Sequence, residues 1–254
     1  RGPFTPGDLY NAHVKPFQPY AIRGVLWDQG ESGTAIAAID QYTLMGALIK
    51  GWRKAWGQGE FPFLYVQKPS GGGCAWDPND PVTCKAEKFV PQPAASNGPA
   101  DGDYRELHIR IMNHPNTAMV SASDLGPGVH PTNKSAYGAR GCRVALGFVY
   151  GKPVEYYGPV FASHSAEGGA IRVKFTHAAG LATPPGQKLQ GFEIAGADGK
   201  YVWADAKIDG DSVVVSSSNV PAPAAVRYGW ARSHPWANLF NAAHLPALTF
   251  QAGK

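Results

Sequence analysis

The segment Gly24-Val25-Leu26-Trp27-Asp28-Gln29-Gly30-Glu31-Ser32-Gly33 passes abruptly from an apolar run into a cluster of polar groups and glycines. Apart from Arg23, residues Ala21 to Trp27 are apolar, the composition of a strand buried on both faces. Helical patterning starts at Thr34, which puts Gln29, Gly30, Glu31 and Ser32 on the turn above the carboxyl end of that strand. α/β enzymes place their chemistry there. Two functional readings of the turn compete: Ser32 is a nucleophile on an elbow, or Gln29 and the Gly30 amide donate to a developing oxyanion. An elbow needs glycine two residues to either side of the serine, and Thr34 holds the second position. A plain helix N-cap is the alternative for Ser32, with Thr34 as a second candidate cap.

From Thr34 to Trp56 the residues Ile39, Tyr42, Met45, Leu48, Ile49, Trp52 and Trp56 recur at helical spacing, and Gly57 and Gly59 close the helix. Phe61 to Val66 follows as a short strand, so strand, helix and strand form a parallel βαβ unit. A long irregular segment then opens at Gly71 to Gly73 and runs to about Asp103; its length places it near the mouth of a site. Asp101 or Asp103 caps a helix through Tyr104, Leu107, His108 and Ile111, the next strand is Thr117 to Ser121, and Thr132 to Tyr150 reads as helix. Beyond Gly158 the pattern changes to strands and tight turns: Ala170 to Phe175, Gly191 to Ala195, Tyr201 to Ile208, Ser212 to Ser216 and Ala225 to Trp230. Asp198-Gly199 and Asp209-Gly210 signal type I′ hairpin turns. The chain therefore reads as an α/β core over residues 1–157 followed by a small antiparallel β domain over 158–254. Phe192, Trp203, Tyr228, Trp230 and Trp236 of the second part are core residues or a carbohydrate platform.

The 254 residues suffice for a substantial core, and the formal charge of +4 is scattered rather than gathered in basic runs. Nucleic acid is not an expected partner. No apolar stretch is long enough to cross a bilayer, and Arg1-Gly2-Pro3 does not begin a signal peptide, so an exported form is expected to have lost its leader already. Cys74 and Cys84 bracket a loop with Trp76, Asp77 and Asp80, a spacing that suits a disulfide ring and an oxidising compartment. Cys142 reads as a buried free thiol, and no zinc-ligand spacing is present, so neither metal nor cofactor is expected. Of the eight histidines, His130 stands out on the glycine-rich loop Asp124-Leu125-Gly126-Pro127-Gly128-Val129-His130-Pro131. It is a candidate general base with Asp124 as its carboxylate, or else a loop histidine capping the next helix.

Several segments together resemble the sialate O-acetylesterase type of SGNH hydrolase, a group of carbohydrate esterases. They are Leu9-Tyr10-Asn11, Pro19-Tyr20-Ala21-Ile22, Trp27 to Ser32, Phe61-Pro62-Phe63, Asp124-Leu125-Gly126 and His130-Pro131-Thr132-Asn133-Lys134. The likeness continues through Gly191 to Gly196, Trp203 to Ala206 and Val226 to Trp230, so it covers essentially the whole chain. It implies an SGNH-type three-layer α/β/α core with a parallel sheet, incomplete in this chain, ahead of the β domain. It also implies acyl transfer through a serine ester, with His130 as base, Gln29 and Gly30 as oxyanion donors, and Glu31 organising the loop or reaching the substrate. Arg23 and Arg140 are the candidate partners for a buried Glu31.

Three departures modify that expectation. The family usually carries an aspartate two or three residues before the histidine, where this chain has Gly128 and Pro127. Asp124 is then the nearest carboxylate, and a backbone carbonyl is the alternative orienter of His130. Asp28 stands where the family commonly has tyrosine. The Gly-x-Ser-Asn nucleophile turn of the family is absent from the sequence. The expectation is thus the C-terminal portion of a carbohydrate O-acetylesterase, periplasmic or secreted. An N-terminal polypeptide of the same esterase supplies the first strand and the serine, and the substrate is an acetylated oligosaccharide, plant xylan or xyloglucan ahead of sialic acid. The rivals are a non-catalytic carbohydrate-binding or scaffold protein, and catalysis within the chain through Ser32, Ser121 or Ser123.

Overall fold

The computed structural model describes residues 5, 7–18, 20–31, 38–94, 102–128 and 130–253. A short helix, α1 (Asp8–His13), precedes the first strand, β1 (Val25–Trp27). Helix α2 (Gln41–Trp56) returns the chain so that β2 (Phe63–Val66) lies parallel to β1, with Leu26 opposite Leu64. After α3 (Gly102–Arg110), β3 (Thr117–Val120) joins the free side of β2, again parallel, in the order β1-β2-β3. Helix α4 (Lys134–Val144) follows and runs into one π-helical stretch, Ala145–Val149.

Side chains alternate across this sheet, as a pleated strand requires. Phe63, Tyr65 and Met119 pack with Met45 and Ile49 of α2, while Leu64, Val66, Ala118 and Val120 pack with Ala136, Tyr137 and Val144 of α4. Helices therefore cover both faces, giving the expected three layers, and each of the large buried side chains contributes about 1.5–3 kcal/mol of burial.

Two expectations at the start of this unit need correction. Helix α2 begins at Gln41 rather than at Thr34, because Ala38 takes a left-handed φ of 64° and Asp40 forms the N-cap, its Oδ1 accepting from the Thr43 amide at 2.7 Å. The caps expected at Ser32 and Thr34 fall outside the described residues. Strand β1 is not buried on both faces: among the described residues it pairs only with β2, and Leu26 is 54% exposed.

The remaining strands are β4 (Val160–Glu167), β5 (Ala170–Thr176), β6 (Phe192–Ala195), β7 (Val202–Trp203), β8 (Asp205–Asp209), β9 (Ser212–Ser216), β10 (Ala225–Tyr228) and β11 (Phe250–Gly253). They form two antiparallel sheets, β4-β5-β9-β8 and β11-β10-β6-β7. Val173, Val213 and Val215 of the first sheet share one core with Phe192, Ile194 and Val226 of the second. The run expected as one strand, Tyr201 to Ile208, is broken at Ala204 and its halves serve different sheets. Gly199 and Gly210 do take positive φ, at 69° and 62°, but Asp198 and Asp209 do not, so neither turn is type I′.

The cysteines also differ from expectation. The Cys74 thiol is buried 3.5 Å from the Ala237 carbonyl, and the exposed Cys84 thiol lies 3.5 Å from the Pro81 carbonyl; both are free. Each sulfur is turned toward its own backbone partner, and no disulfide ring closes the loop. Cys142 is free as expected but exposed, since α4 buries Ala136, Tyr137, Arg140, Gly141 and Val144 and turns position 142 outward.

Candidate active site

The turn after β1 and the segment after β2 meet at the carboxyl ends of the strands, around one ammonium group. Lys68 lies two residues beyond the end of β2, and its side chain is fully buried. A lysine has three N–H donors, and here each has an acceptor: Asp28 Oδ1 at 2.8 Å, Glu31 Oε1 at 2.6 Å and Ser70 Oγ at 3.2 Å. Burial pulls the Lys68 ammonium down, but the hydrogen bonds and charges of Asp28 and Glu31 outweigh it and leave its pKa above the ordinary value. Burial likewise pushes Glu31 up, yet Lys68 and the backbone amides of Glu31 and Gly30 hold its carboxyl below the ordinary range. Lys68, not Arg23 or Arg140, is the cation that keeps Glu31 ionised.

Glu31 uses its second oxygen locally: the Gly30 amide donates to Glu31 Oε2 at 3.0 Å. The Tyr104 hydroxyl of α3 donates to the Gly30 carbonyl. Gly30 has a φ of 131°, which suits glycine alone, and an added Cβ would stand 3.1 Å from Gln41 Nε2 and 3.4 Å from the His108 ring. Gln29, the other expected oxyanion donor, is exposed beside it.

His108 supports the cluster from beneath. Its Nδ1 accepts from the Lys68 backbone amide at 3.2 Å, so a neutral ring carries its proton on Nε2, which is buried without a partner among the described residues. Burial, reinforced by the charges of Lys68 and Arg105, pushes the imidazole pKa down to about 3. Such a ring is a fixed neutral group and not a general base. Arg105, one helical turn earlier, is also fully buried and donates to the carbonyls of Pro69, Gly71 and Arg232.

Asp124 and His130 are not brought together as the sequence suggested. The Asp124 side chain is completely buried, and its Oδ2 accepts from Arg140 Nη2 of α4 at 2.9 Å. No hydrogen bond links it to His130, and its Oδ1 has no partner among the described residues. The reason is electrostatic: a fully buried carboxylate needs a cation, and Arg140 is the one within reach. His130 is exposed, and no hydrogen bond or ion pair from a described side chain holds its ring. Arg140 also donates to the carbonyl and hydroxyl of Ser121, and Ser121 and Ser123 are both buried and do not line the cleft described below. Ser32 lies outside the described residues.

A cleft of about 250 Å³ lies above these strand ends, lined by Glu31, Ser70, Gly72, Glu87, Gly128 and Arg232 among others. The turn after β1 contributes Glu31, the His130 loop contributes Gly128, and the long irregular segment contributes Glu87. Lys68, His108, Arg105 and Arg232 were not legible as site residues; the one available signal was a lysine directly after an apolar strand, placed to meet Asp28 and Glu31 of the neighbouring turn. A separate hollow of about 200 Å³ against Trp76, Arg143 and His244 holds none of the expected site residues. Of the candidate platform aromatics, Phe192, Tyr228 and Trp230 are core, while Trp203 and Trp236 pack edge to face at 6.1 Å, half-buried.

No family model matches the chain. It is 28% identical over 178 residues to a mouse (Mus musculus) sialate O-acetylesterase, an alignment covering 63% of the chain and 29% of that enzyme. It is 42% identical over 77 residues to the rat (Rattus norvegicus) sialate O-acetylesterase, covering 27% of the chain and 14% of the enzyme. The crystal structure of a carbohydrate acetylesterase from Xanthomonas citri superposes on 97% of the chain with a TM-score of 0.79 and 33% identity, and the chain spans 53% of that protein. The chain thus spans about half of the solved enzyme and a smaller part of the curated relatives. By sequence it is similar to sialate O-acetylesterases, and by sequence and fold to a carbohydrate acetylesterase.

Proposed function

We propose that this chain forms the oxyanion and general-base half of a carbohydrate O-acetylesterase. The observation that carries the reading is the cleft in which the Gln29–Glu31 turn and the loop of His130 meet at the carboxyl ends of parallel strands. In the proposed mechanism a serine hydroxyl attacks the acetyl carbonyl and loses its proton to His130. The oxyanion then takes hydrogen bonds from Gln29 and from the Gly30 amide, which Glu31 Oε2 must release, and the histidine returns its proton to the departing sugar alkoxide. Water attack on the acetyl-serine releases acetate.

The serine is supplied by a strand that pairs with the outer edge of β1 and belongs to the N-terminal polypeptide of the same esterase. Three features support this: β1 is paired on one side only among the described residues, Leu26 and Tyr150 are strongly exposed there, and an apolar groove of about 340 Å³ runs beside them past Pro62 and Ala145. The favoured substrates are neutral acetylated plant oligosaccharides such as xylan or xyloglucan fragments, with acetylated sialic acid second, and the proposed location is periplasmic or secreted, checked by fractionating the producing cells.

The test is acetate release by the chain assembled with its serine-bearing polypeptide, on acetylated xylan, xyloglucan and sialic acid in parallel. His130→Ala is expected to lower turnover by about 10²- to 10⁴-fold without unfolding the protein. A stable chain that binds these glycans, with an assembly that neither releases acetate nor takes up a serine-directed phosphonate, would establish the binding-protein alternative instead.

A further inference from the structure

We propose that Lys68 is a positioning residue of the esterase site: by drawing Asp28 and Glu31 onto one buried ammonium, it fixes the Gln29–Gly30 peptide that lies between them. The inference rests on the esterase reading above. Asp28 and Glu31 bracket the two candidate oxyanion donors in sequence, and both carboxylates reach the same Nζ, at 2.8 and 2.6 Å. The turn is therefore tied at both ends to the tip of β2, and its middle is held by Tyr104 through the Gly30 carbonyl. Lys68 is itself held, its amide by His108 Nδ1 and its third N–H by Ser70 Oγ, so the clamp has little freedom. An oxyanion donor works only when its N–H is aimed before the charge develops, and a misplacement of about 1 Å can cost 10²-fold.

The clamp also sets which acceptor the Gly30 amide meets in the free protein. Glu31 Oε1 faces Lys68 and Oε2 takes the Gly30 N–H, so an ionised oxygen occupies the donor that an acyl oxyanion would need. Lys68 draws the same carboxylate toward itself, and the balance between the two contacts governs how readily the amide is released. The charged and titratable groups facing Glu31 are Lys68 after β2, Asp28 on its own turn and His108 on α3, with Glu87 and Arg232 lining the same cleft; Tyr137 on α4 and Arg105 on α3 face Lys68 and His108 in turn.

The first experiment uses the 254-residue chain and follows the Gly30 amide resonance as Glu31 titrates. In Lys68→Met the midpoint should rise by about one pH unit or more. In Asp28→Asn, which leaves Glu31 as the sole carboxylate on Lys68, it should move the opposite way; this variant alters an exposed side chain and keeps the test open if Lys68→Met does not fold. A midpoint unmoved in the folded variants overturns the clamp. The second experiment measures hydrolysis of p-nitrophenyl acetate by the assembled esterase. Lys68→Met should lower kcat by about 10- to 100-fold while KM stays within about twofold, and adding Glu31→Gln should cost little more, because the two residues act as one unit. An active parent with unchanged kcat in Lys68→Met, or fully additive losses, overturns the positioning role. An inert parent assembly overturns the esterase reading itself.

Discussion

Asp124 and Arg140 meet at 2.9 Å with both side chains almost completely buried, so the carboxylate nearest to His130 in the loop belongs to a structural pair and not to the histidine. Arg140 extends the pair by holding the Ser121 carbonyl and hydroxyl, which ties the end of β3 to α4 beneath the His130 loop. The loop's backbone is therefore set by a buried ion pair, while its histidine is exposed.

Breaking that pair from one side leaves an uncompensated buried charge. Arg140→Met is expected to destabilise the chain by about 3–5 kcal/mol, measured by urea denaturation. The double variant with Asp124→Asn should recover part of the loss, since no charge then remains. Turnover of Asp124→Asn, per folded molecule, should stay near the parent value; a collapse of turnover with an intact fold would return Asp124 to the role of orienting His130.

His108 gives stability a defined pH dependence. Its folded pKa of about 3 lies below the ordinary 6.5, so between these values the unfolded chain binds the extra proton. Stability is then complete above about pH 6.5 and is lost progressively as pH falls toward 3, by up to on the order of 5 kcal/mol. His234, buried and held well below its ordinary range by burial first and Arg105 second, adds a slope of the same sign. His108→Gln, whose amide oxygen can still accept the Lys68 N–H, should flatten the curve of stability against pH; an unchanged slope would remove His108 from this role.

Much of the fold was legible because it follows periodicity. Met45, Ile49 and Trp52 mark α2 at helical spacing, β2, β3 and β9 are short runs dominated by apolar residues, and β5 alternates Ile171, Val173 and Phe175 with Arg172 and Lys174. β4 was not legible, because most of its residues, Ser163 to Glu167 among them, face solvent and carry no alternation. β11 was missed as a short strand at the end of an irregular stretch. The candidate site was legible where a motif lies on one segment, as in Gln29-Gly30-Glu31. Its electrostatics were not: Lys68 meets Glu31 across 37 positions, and Arg105 meets Arg232 across 127, so the fold alone brings them together. Asp124 misled for the same reason, since its nearness to His130 in sequence counts for less than the burial that commits it to Arg140.

Tyr104 offers a conservative probe of the proposed oxyanion turn. Tyr104→Phe removes one hydroxyl, and with it the donor to the Gly30 carbonyl, while keeping the ring beside His108. In the proposed esterase assembly kcat should fall by about tenfold with KM little changed, and thermal stability should drop by about 1 kcal/mol. A loss of stability with kcat per folded molecule unchanged would mark the hydroxyl as structural only.

The joint between the two halves has its own test. Gly158 lies so close to the chain near Pro246 that a Cβ would stand 1.9 Å from the Pro246 carbonyl oxygen. Backbone cannot yield there as a flexible side chain would. Gly158→Ala should cost about 3 kcal/mol or more, read as a fall in melting temperature; a neutral substitution would show that the two segments can separate cheaply.

Arg105 bears on whether the β domain can be separated from the core. Its buried guanidinium joins the Pro69 and Gly71 carbonyls, next to Lys68, to the Arg232 carbonyl of the C-terminal part. The His234 amide closes the same seam on the Gly72 carbonyl at 2.6 Å. A chain cut after residue 157 would leave a buried cation facing solvent where Arg232 had been. The β sandwich is in that sense a wall of the cleft: replacing it alone would also disturb the Pro69–Gly72 segment that it holds, and the two halves must be exchanged as one piece.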